Sequence, residues 1–370
     1  MALKIVVVAG TRPNFMKVAP ILAELRRFPG DFAPLLVHTG QHYDYRMSDI
    51  FFEELEMPAP DCYLGAQGEG ATAQTADILL KFAPVLVREQ PDLVLVVGDV
   101  TSTLACTLAA AQRDLPVAHV EAGLRSFDRR LPEELNRLAI DALSDLHFTY
   151  SADADANLRA ENVSTSCIFR VGNVMIDTLV RLRERAAAST VLKDLGLERR
   201  GYGLVTLHRQ SNVDDERTLA GILESLARIG QRLPLIFLVH PRTRKNAERF
   251  GLGSRMEHTP GLRLAEPVGY LDMLCLQESA RLVLTDSGGI QEETTALQVP
   301  CLTLRESTER PVTIEQGSNT LVGCDPSRIV EATLRVLDQE GQKTYPIPEL
   351  WDGHAAERLV EVLRQGIGRR

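Results

Sequence analysis

Short apolar runs rich in β-branched residues alternate with longer amphipathic segments along this chain, and that alternation constrains the fold more than any other feature. In the first half the apolar runs occupy residues 5–8, 35–37, 93–97, 117–120 and 147–149. Between the first two runs, apolar residues from 18 to 25 recur at the spacing of one helix face. The pattern predicts a parallel sheet with helices on both faces.

The same alternation restarts in the second half, which indicates a second domain. Its apolar runs occupy residues 202–207, 235–239, 263–264, 282–285 and 299–303, and residues 168–177 are interpreted as the crossing between domains. A chain of 370 residues is longer than one hydrophobic core usually serves. We therefore predict an α/β protein of two Rossmann-like doubly wound domains, residues 1–169 and 170–350, with an interdomain cleft, and an amphipathic helix within residues 351–370.

Composition excludes several classes of function. The formal net charge of −9 argues against nucleic acid as a partner, because binding a phosphate backbone needs clustered Lys and Arg. The chain opens with a predicted strand and has no apolar span of ~20 residues, so we expect a cytoplasmic protein that does not enter a membrane. The six cysteines form no Cys-x-x-Cys pair and no His cluster has zinc-ligand spacing, so we expect reduced thiols and no metal.

The turn after the first predicted strand contains a single glycine, Gly10, followed by Arg12 and Lys17. A dinucleotide fingerprint needs three glycines here and a P-loop needs Gly-Lys-Ser/Thr, so NAD and ATP are disfavoured. Arg12 and Lys17 lie instead at the carboxyl end of a strand, where open α/β sheets bind ligands. They are either solvated charges or contacts for an anionic ligand.

Three carboxylates of the first half follow the boundaries of predicted elements. Asp99 and Glu121 follow the ends of two successive strands, and Glu133 opens a helix behind Pro132. Alone, Asp99 is well explained as a helix N-cap and Glu133 as a partner of the helix dipole. Carboxylates that share one edge of a sheet raise one another's pKa, which lets an acid and a base coexist near neutral pH. The set of three therefore indicates proton transfer.

The second half places histidines and a glycine-rich turn at the ends of predicted strands. His208 and His240 each follow a strand, and this paired placement favours a functional role for both. Residues 285–289, Thr-Asp-Ser-Gly-Gly, lead from a strand into a helix whose first N–H groups are available to a phosphate. Glu293 follows in the first two turns of that helix, where it either accepts from ribose hydroxyls or balances the helix dipole.

Short motifs spread in order over residues 10–311 carry a family resemblance. They are Gly10-Thr11-Arg12-Pro13, Gly40-Gln41-His42, Gly98-Asp99, Val120-Glu121-Ala122-Gly123-Leu124-Arg125, Pro132-Glu133-Glu134, Asn136-Arg137, His208-Arg209 and Thr285-Asp286-Ser287-Gly288-Gly289-Ile290-Gln291-Glu292-Glu293. Together they closely resemble the non-hydrolysing UDP-N-acetylglucosamine 2-epimerases. The resemblance implies the two-Rossmann-domain (GT-B-like) architecture with the site in the cleft, no metal or nicotinamide cofactor, a last helix that returns to the first domain, and a homodimer.

The resemblance also assigns roles to residues. Asp99, Glu121 and Glu133 match the catalytic acids of the family and His208 matches its active-site histidine, while the acid that removes the C2 proton stays unassigned. Residues implied in substrate binding are Arg12, Lys17, Arg137, His208, Ser287, Gly288, Gly289, Glu293 and Arg310.

Many bacterial members of the family bind a second substrate molecule as an activator. Gln41 and His42 match the start of the segment involved, and Arg209 and His240 match further contacts. Residues 41–47 depart from the pattern associated with that regulation, which argues against allosteric activation of this chain.

The function that these observations predict is reversible C2 epimerisation of UDP-N-acetylglucosamine to UDP-N-acetylmannosamine through elimination and re-addition of UDP, supplying a polysaccharide precursor. Three alternatives stay open at this point: a 2-epimerase of a modified UDP-N-acetyl sugar, a GT-B glycosyltransferase, and an inactive nucleotide-sugar sensor. A glycosyltransferase would use the same Ser-Gly-Gly turn and Glu293 for its donor.

Overall fold

The computed structural model describes residues 2–40, 52–339 and 343–366. The chain forms two compact units. Unit 1 comprises Met1–Arg181 and Glu349–Arg370, and unit 2 comprises Leu182–Pro348.

Unit 1 is built on a parallel sheet in the order β3-β2-β1-β4-β5-β6-β7. The strands are β1 Leu3–Ala9, β2 Phe32–His38, β3 Cys62–Tyr63, β4 Leu93–Val97, β5 Val117–Val120, β6 Leu146–Thr149 and β7 Ile168–Arg170. The helices between and after them are α1 Arg12–Arg26, α2 Gly70–Glu89, α3 Thr101–Ala111, α4 Pro132–Leu143, α5 Ala152–Ala160 and α6 Val174–Ala187. One core cluster packs valines of β1 and β4 against Phe82 of α2 and Ala105 of α3.

Unit 2 repeats this architecture with a parallel sheet in the order β10-β9-β8-β11-β12-β13. The strands are β8 Gly203–Leu207, β9 Leu235–Val239, β10 Leu262–Ala265, β11 Leu282–Thr285, β12 Cys301–Thr303 and β13 Asn319–Leu321. The helices are α7 Val191–Asp194, α8 Gln210–Val213, α9 Glu216–Gly230, α10 Pro241–Arg249, α11 Gly253–Glu257, α12 Tyr270–Ser279, α13 Gly288–Leu297, α14 Val312–Glu315 and α15 Pro326–Leu337. Its core packs the apolar face of α9 on the central strands.

The last helix, α16 Ala355–Arg364, belongs to unit 1 and packs on α1. Asp177 of α6 fixes its amino end, because its carboxylate accepts the N–H groups of Ala355 at 3.0 Å and Ala356 at 2.7 Å. The boundary between the units falls within α6, at Arg181, rather than at the predicted position between residues 169 and 170.

The predicted α/β class with two doubly wound parallel sheets is confirmed. The interpretation of residues 168–177 as a crossing segment is wrong, because Ile168–Arg170 forms β7 of the first sheet and α6 begins at Val174. Within the described ranges, no helix combines the length and the apolar character needed to span a membrane.

Candidate active site

Two neighbouring strands of unit 1 deliver Asp99 and Glu121 to the same edge of the sheet. Val97 of β4 pairs in register with Val120 of β5, so Gly98 and Glu121 leave the sheet side by side. Both adopt the left-handed conformation, with φ +67° at Gly98 and +72° at Glu121. Such a conformation is unusual for a residue with a Cβ and is found at functional sites. We call Asp99, Glu121 and Glu133 with their surroundings the acid edge.

Glu121 forms a buried ion pair with Lys17 of α1. The Lys17 ammonium contacts Glu121 Oε2 directly, and the two side chains are only 8% and 6% exposed. Gly98 lies against this pair, because a Cβ built on it would be 3.2 Å from Lys17 Nζ and 3.3 Å from Glu121 Oε2. The anion that Lys17 contacts within the protein is therefore the carboxylate of Glu121.

Asp99 is paired with Arg137 rather than capping a helix. Its Oδ2 lies 2.5 Å from Arg137 Nη1, and the same guanidinium contacts Glu134 at 2.5 Å. The N-cap of α3 is Val100, so the interpretation of Asp99 as an N-cap is wrong. Burial raises the pKa of Glu134, but the N–H of Ser126 and the Arg137 guanidinium outweigh it and hold that pKa below its ordinary value.

Glu133 lies in the first turn of α4, behind Pro132. Arg137 follows four residues later, so Glu133 and Arg137 share one face of the helix. Asn136 of the same helix donates to the Asp99 carbonyl at 2.8 Å. Helix α4 therefore carries Glu133 to the edge that Asp99 and Glu121 occupy.

The carboxyl edge of the second sheet joins His208 to Asp286. His208 Nδ1 lies 2.9 Å from Asp286 Oδ1, and the His208 and Arg209 N–H groups also donate to this carboxylate at 3.0 Å and 2.9 Å. Burial raises the pKa of Asp286, but these hydrogen bonds and the charge of His208 outweigh it and lower that pKa. His208 is 37% exposed, and Nε2 is the ring nitrogen that points away from its contact with Asp286 through Nδ1.

The Ser287-Gly288-Gly289 turn opens α13 next to the guanidinium of Arg310. Ser287 is the N-cap of α13, and its side chain makes no cap hydrogen bond. A Cβ on Gly288 would lie 2.5 Å from Arg310 Nη1, so only glycine lets the guanidinium approach the helix start this closely. Arg310 is held there by Glu292 at 2.7 Å and by a direct contact with Glu309. A helix amino end beside a buried arginine can bind a phosphate.

A family model described as UDP-N-acetylglucosamine 2-epimerase matches residues 23–364. The chain belongs to the UDP-N-acetylglucosamine 2-epimerase family. A UDP-N-acetylglucosamine 2-epimerase homolog of Methanococcus maripaludis is 41% identical to it, over 98% of this chain and 99% of that relative. A UDP-2,3-diacetamido-2,3-dideoxy-D-glucuronate 2-epimerase of Pseudomonas aeruginosa is 39% identical over 98% of this chain and 99% of that relative.

A solved structure supports the same membership. The crystal structure of Methanocaldococcus jannaschii UDP-GlcNAc 2-epimerase in complex with UDP-GlcNAc and UDP has a TM-score of 0.92 and 38% identity, covering 98% of this chain and 100% of that chain. The predicted resemblance to the 2-epimerase family and the predicted enzyme class are thereby confirmed. The roles of individual residues stay predictions.

Of the residues matched to the family's allosteric contacts, two lie outside the described part and two lie near His208 and Glu309. Gln41 and His42 fall outside the described residues, and the side chain of Arg12 is not described. His240 caps α10 by accepting the Arg242 N–H at 3.2 Å, and its ring centroid lies 5.7 Å from that of His208. Arg209 lies 3.9 Å from Glu309.

Glu293, predicted to bind the ribose of the family's substrate, is buried in α13. Its Oε2 accepts from Gln277 at 2.7 Å. Burial raises the pKa of Glu293 to about 7, against the opposing effect of Gln277 and Tyr270. Near neutral pH the side chain therefore populates both its protonated and its ionised form. Either form has an oxygen that can accept a hydrogen bond from a hydroxyl.

Sequence reasoning missed one buried pair of this chain, which lies next to the acid edge. His119 of β5 and Asp141 of α4 are both fully buried, with His119 Nδ1 2.6 Å from Asp141 Oδ1. The available signal was a histidine inside an otherwise apolar strand, since a buried polar group needs a partner.

Proposed function

We propose that this chain interconverts UDP-N-acetylglucosamine and UDP-N-acetylmannosamine by eliminating UDP and adding it back after C2 has changed configuration. The observation that carries the proposal is the acid edge, where Asp99 and Glu121 leave adjacent strands and each contacts a buried cation. Carboxylates are groups that can accept and return a proton in catalysis. Membership of the 2-epimerase family supports the choice of reaction.

Departure of UDP requires a site that stabilises a diphosphate. The amino end of α13, the Arg310 guanidinium and the partly exposed imidazole of His208 supply N–H donors and positive charge at one edge of the second sheet. We propose that this site holds UDP and that the acid edge handles the C2 proton. Glu293, Gly289 and Ser287 complete the proposed binding set, and Lys17 and Arg137 act through the carboxylates they contact.

Proton NMR of the purified protein with UDP-N-acetylglucosamine in deuterium oxide tests the reaction. The expected result is formation of the C2 epimer with deuterium at C2 and without any acceptor. UDP release only after an acceptor is added would indicate a glycosyltransferase instead, and calorimetric binding without turnover would indicate a sensor.

Removing the proposed acid–base groups should abolish most turnover. We expect Asp99→Asn and Glu133→Gln each to lower kcat by at least ~100-fold with folding intact, because a positioned proton acceptor or donor contributes this much. The matched control is Asp153→Asn, which alters a first-turn carboxylate of α5 in the same unit. Near-normal turnover of either acid variant would contradict its role.

A modified UDP-N-acetyl sugar is the second candidate substrate. The relative named for UDP-2,3-diacetamido-2,3-dideoxy-D-glucuronate is 39% identical, and the relative named a UDP-N-acetylglucosamine 2-epimerase homolog is 41% identical. A difference this small does not rank the two sugars. Comparison of kcat/KM for UDP-N-acetylglucosamine and for the diacetamido uronate identifies the substrate.

We also propose a homodimer and a cytoplasmic location. The dimer is supported by an exposed apolar groove of about 730 Å³ between α2 and the end of α3, lined in part by Leu80, Pro84 and Val87. The location rests on the sequence, and formation of a polysaccharide precursor is the pathway role that the resemblance implies.

A further inference from the structure

The imidazole of His119 lies wholly inside unit 1 and contacts a polar group on each side. Its Nε2 is 2.9 Å from the carbonyl oxygen of Gly98, and its Nδ1 is 2.6 Å from Asp141 Oδ1. A carbonyl oxygen and a carboxylate both accept hydrogen bonds. The Gly98 carbonyl can only accept, so Nε2 carries a proton and donates to it, while Nδ1 shares a hydrogen bond with the Asp141 carboxyl group.

The surroundings of Asp141 favour its ionised form. Its Oδ2 accepts the Gly123 N–H at 3.0 Å and lies 2.7 Å from Arg125. Burial raises the pKa of Asp141, but the charges and hydrogen bonds of His119 and Arg125 outweigh it and lower that pKa to about 2. A buried carboxylate with these partners is ionised at neutral pH.

Each member of the pair holds one of the two loops that carry the acids. His119 donates to Gly98, the residue before Asp99, and Asp141 accepts from Gly123, two residues after Glu121. Gly98, Glu121 and Gly123 all have positive φ, so the backbone turns away from regular strand geometry along both loops. The Gly98 and Glu121 N–H groups still bond to neighbouring strands, and the pair adds fixed partners for the Gly98 carbonyl and the Gly123 N–H.

We propose that the buried His119–Asp141 pair is a positioning device that sets Asp99 relative to Glu121 for the proton transfer. The proposal rests on the proposed function. Neither residue touches the substrate in this scheme; both act through the loops. Loss of the pair should displace the acids, and a misplacement of ~1 Å can cost on the order of 100-fold in rate.

His147 offers a matched control. It is a buried histidine on β6, directly opposite His119 in the strand register, and its Nε2 lies 2.9 Å from the main-chain carbonyl of Asp141. Gln replacement at either site removes an imidazole at similar depth from the same sheet. Only the replacement at His119 removes the contact with Gly98.

The experiment compares kcat, KM and thermal unfolding for the full-length wild type, His119→Gln, Asp141→Asn and His147→Gln. We expect His119→Gln and Asp141→Asn to lose ~10- to 100-fold in kcat with KM within about twofold, because the proposed UDP site belongs to unit 2. His147→Gln should keep kcat within about twofold of wild type, even if its unfolding temperature falls as much as that of His119→Gln. Equal kcat losses at His119 and His147, or no loss at His119, overturn the proposal.

A second measurement does not depend on turnover or on variants that fold. In wild-type protein labelled with ¹⁵N-histidine, NMR should show a proton on Nε2 of His119 that is hydrogen-bonded to the Gly98 carbonyl. An unprotonated Nε2 overturns the proposal. If the wild type gives no epimer while Nε2 carries this proton, the proposed function fails and the buried pair stands.

Discussion

Gly98 is a position of the acid edge where both the backbone conformation and the close neighbours require glycine. Its φ of +67° is costly for any residue with a Cβ, and a Cβ would come within 3.3 Å of both Lys17 Nζ and Glu121 Oε2. Gly98→Ala should lower the free energy of unfolding by about 1–2 kcal/mol through backbone strain and should also reduce kcat by moving the ion pair. Chemical denaturation and steady-state kinetics measure the two effects.

The matched control for this change is Gly70→Ala in the same unit. Gly70 has φ +83° and a Cβ there would meet no atom within 4 Å, so only the backbone cost remains. We expect a similar loss of stability with unchanged kcat. If both variants keep full activity, the close approach of Gly98 to the pair has no catalytic consequence.

Gly288 is the corresponding position at the edge of the second sheet. Its φ is not positive, so glycine is required only because a Cβ would lie 2.5 Å from the guanidinium of Arg310. Gly288→Ala should displace Arg310 and raise KM for the UDP sugar, or Kd for UDP, by ~10-fold or more, the loss expected for one charge-assisted phosphate contact. Gly253→Ala, at the start of α11 where the nearest atom is 3.8 Å away, should change neither.

Sequence reasoning at the scale of single residues was limited by partners distant in the chain. Strand ends alone indicated Asp99, Glu121 and His208, because the carboxyl edge of a parallel sheet is where ligands bind. The contact of Asp99 with Arg137 spans 38 residues and that of Lys17 with Glu121 spans 104. Such pairings arise from packing, so the sequence carried no signal for the His119–Asp141 pair beyond one polar residue in an apolar strand.

At the scale of elements, the central strands and the edge strand β10 were predictable, and the other edge strands were not. Central parallel strands such as β4 and β8 are buried at every position and therefore appear as continuous apolar runs. The missed strands β3, β7 and β13 have only two or three residues, lie at the ends of their sheets and are partly exposed. A short strand paired on one side leaves little hydrophobic pattern to detect.

The attachment of α16 to α6 should depend on pH through Asp177. Burial raises the pKa of its carboxyl from 3.8 to about 6 despite two backbone N–H donors. Because the folded-state value exceeds the unfolded one, the contribution of Asp177 to stability is full below pH 4 and is lost as pH rises through 6. In urea titrations, the stability of wild type minus that of Asp177→Asn should therefore fall by about 2–3 kcal/mol between pH 4 and pH 7.

A constant difference across this pH range would show that the two N–H donors fully compensate the burial of the charge. The neighbouring Asp352 raises the pKa of Asp177 and His354 lowers it, so each is also changed as a check. Asp352→Asn should shift the transition of the wild-type curve to lower pH, and His354→Gln should shift it to higher pH.

At the scale of the whole molecule, unit 1 exposes apolar side chains where a monomer would be expected to place polar ones. Leu80 and Val87 of α2 are 75% and 54% exposed, and both line the groove that reaches Ala109 of α3. Contiguous exposed apolar surface usually marks an interface. A second copy of the chain presents the same surface about a two-fold axis, so a self-complementary contact needs no other partner.

The double change Leu80→Glu with Val87→Glu should therefore convert the proposed dimer to monomer, because two carboxylates per copy would be buried or repelled across the axis. Light scattering coupled to gel filtration measures the mass, and Ile347→Glu, which changes an exposed apolar residue of unit 2, is the control that should stay dimeric. Asp99 and Glu121 follow strands β4 and β5, and Glu133 and the two partner cations lie on α4 and α1, so the monomer should retain at least part of its turnover. If the wild type elutes as a monomer, or if the double variant still has the mass of a dimer, α2 is not the dimer contact surface.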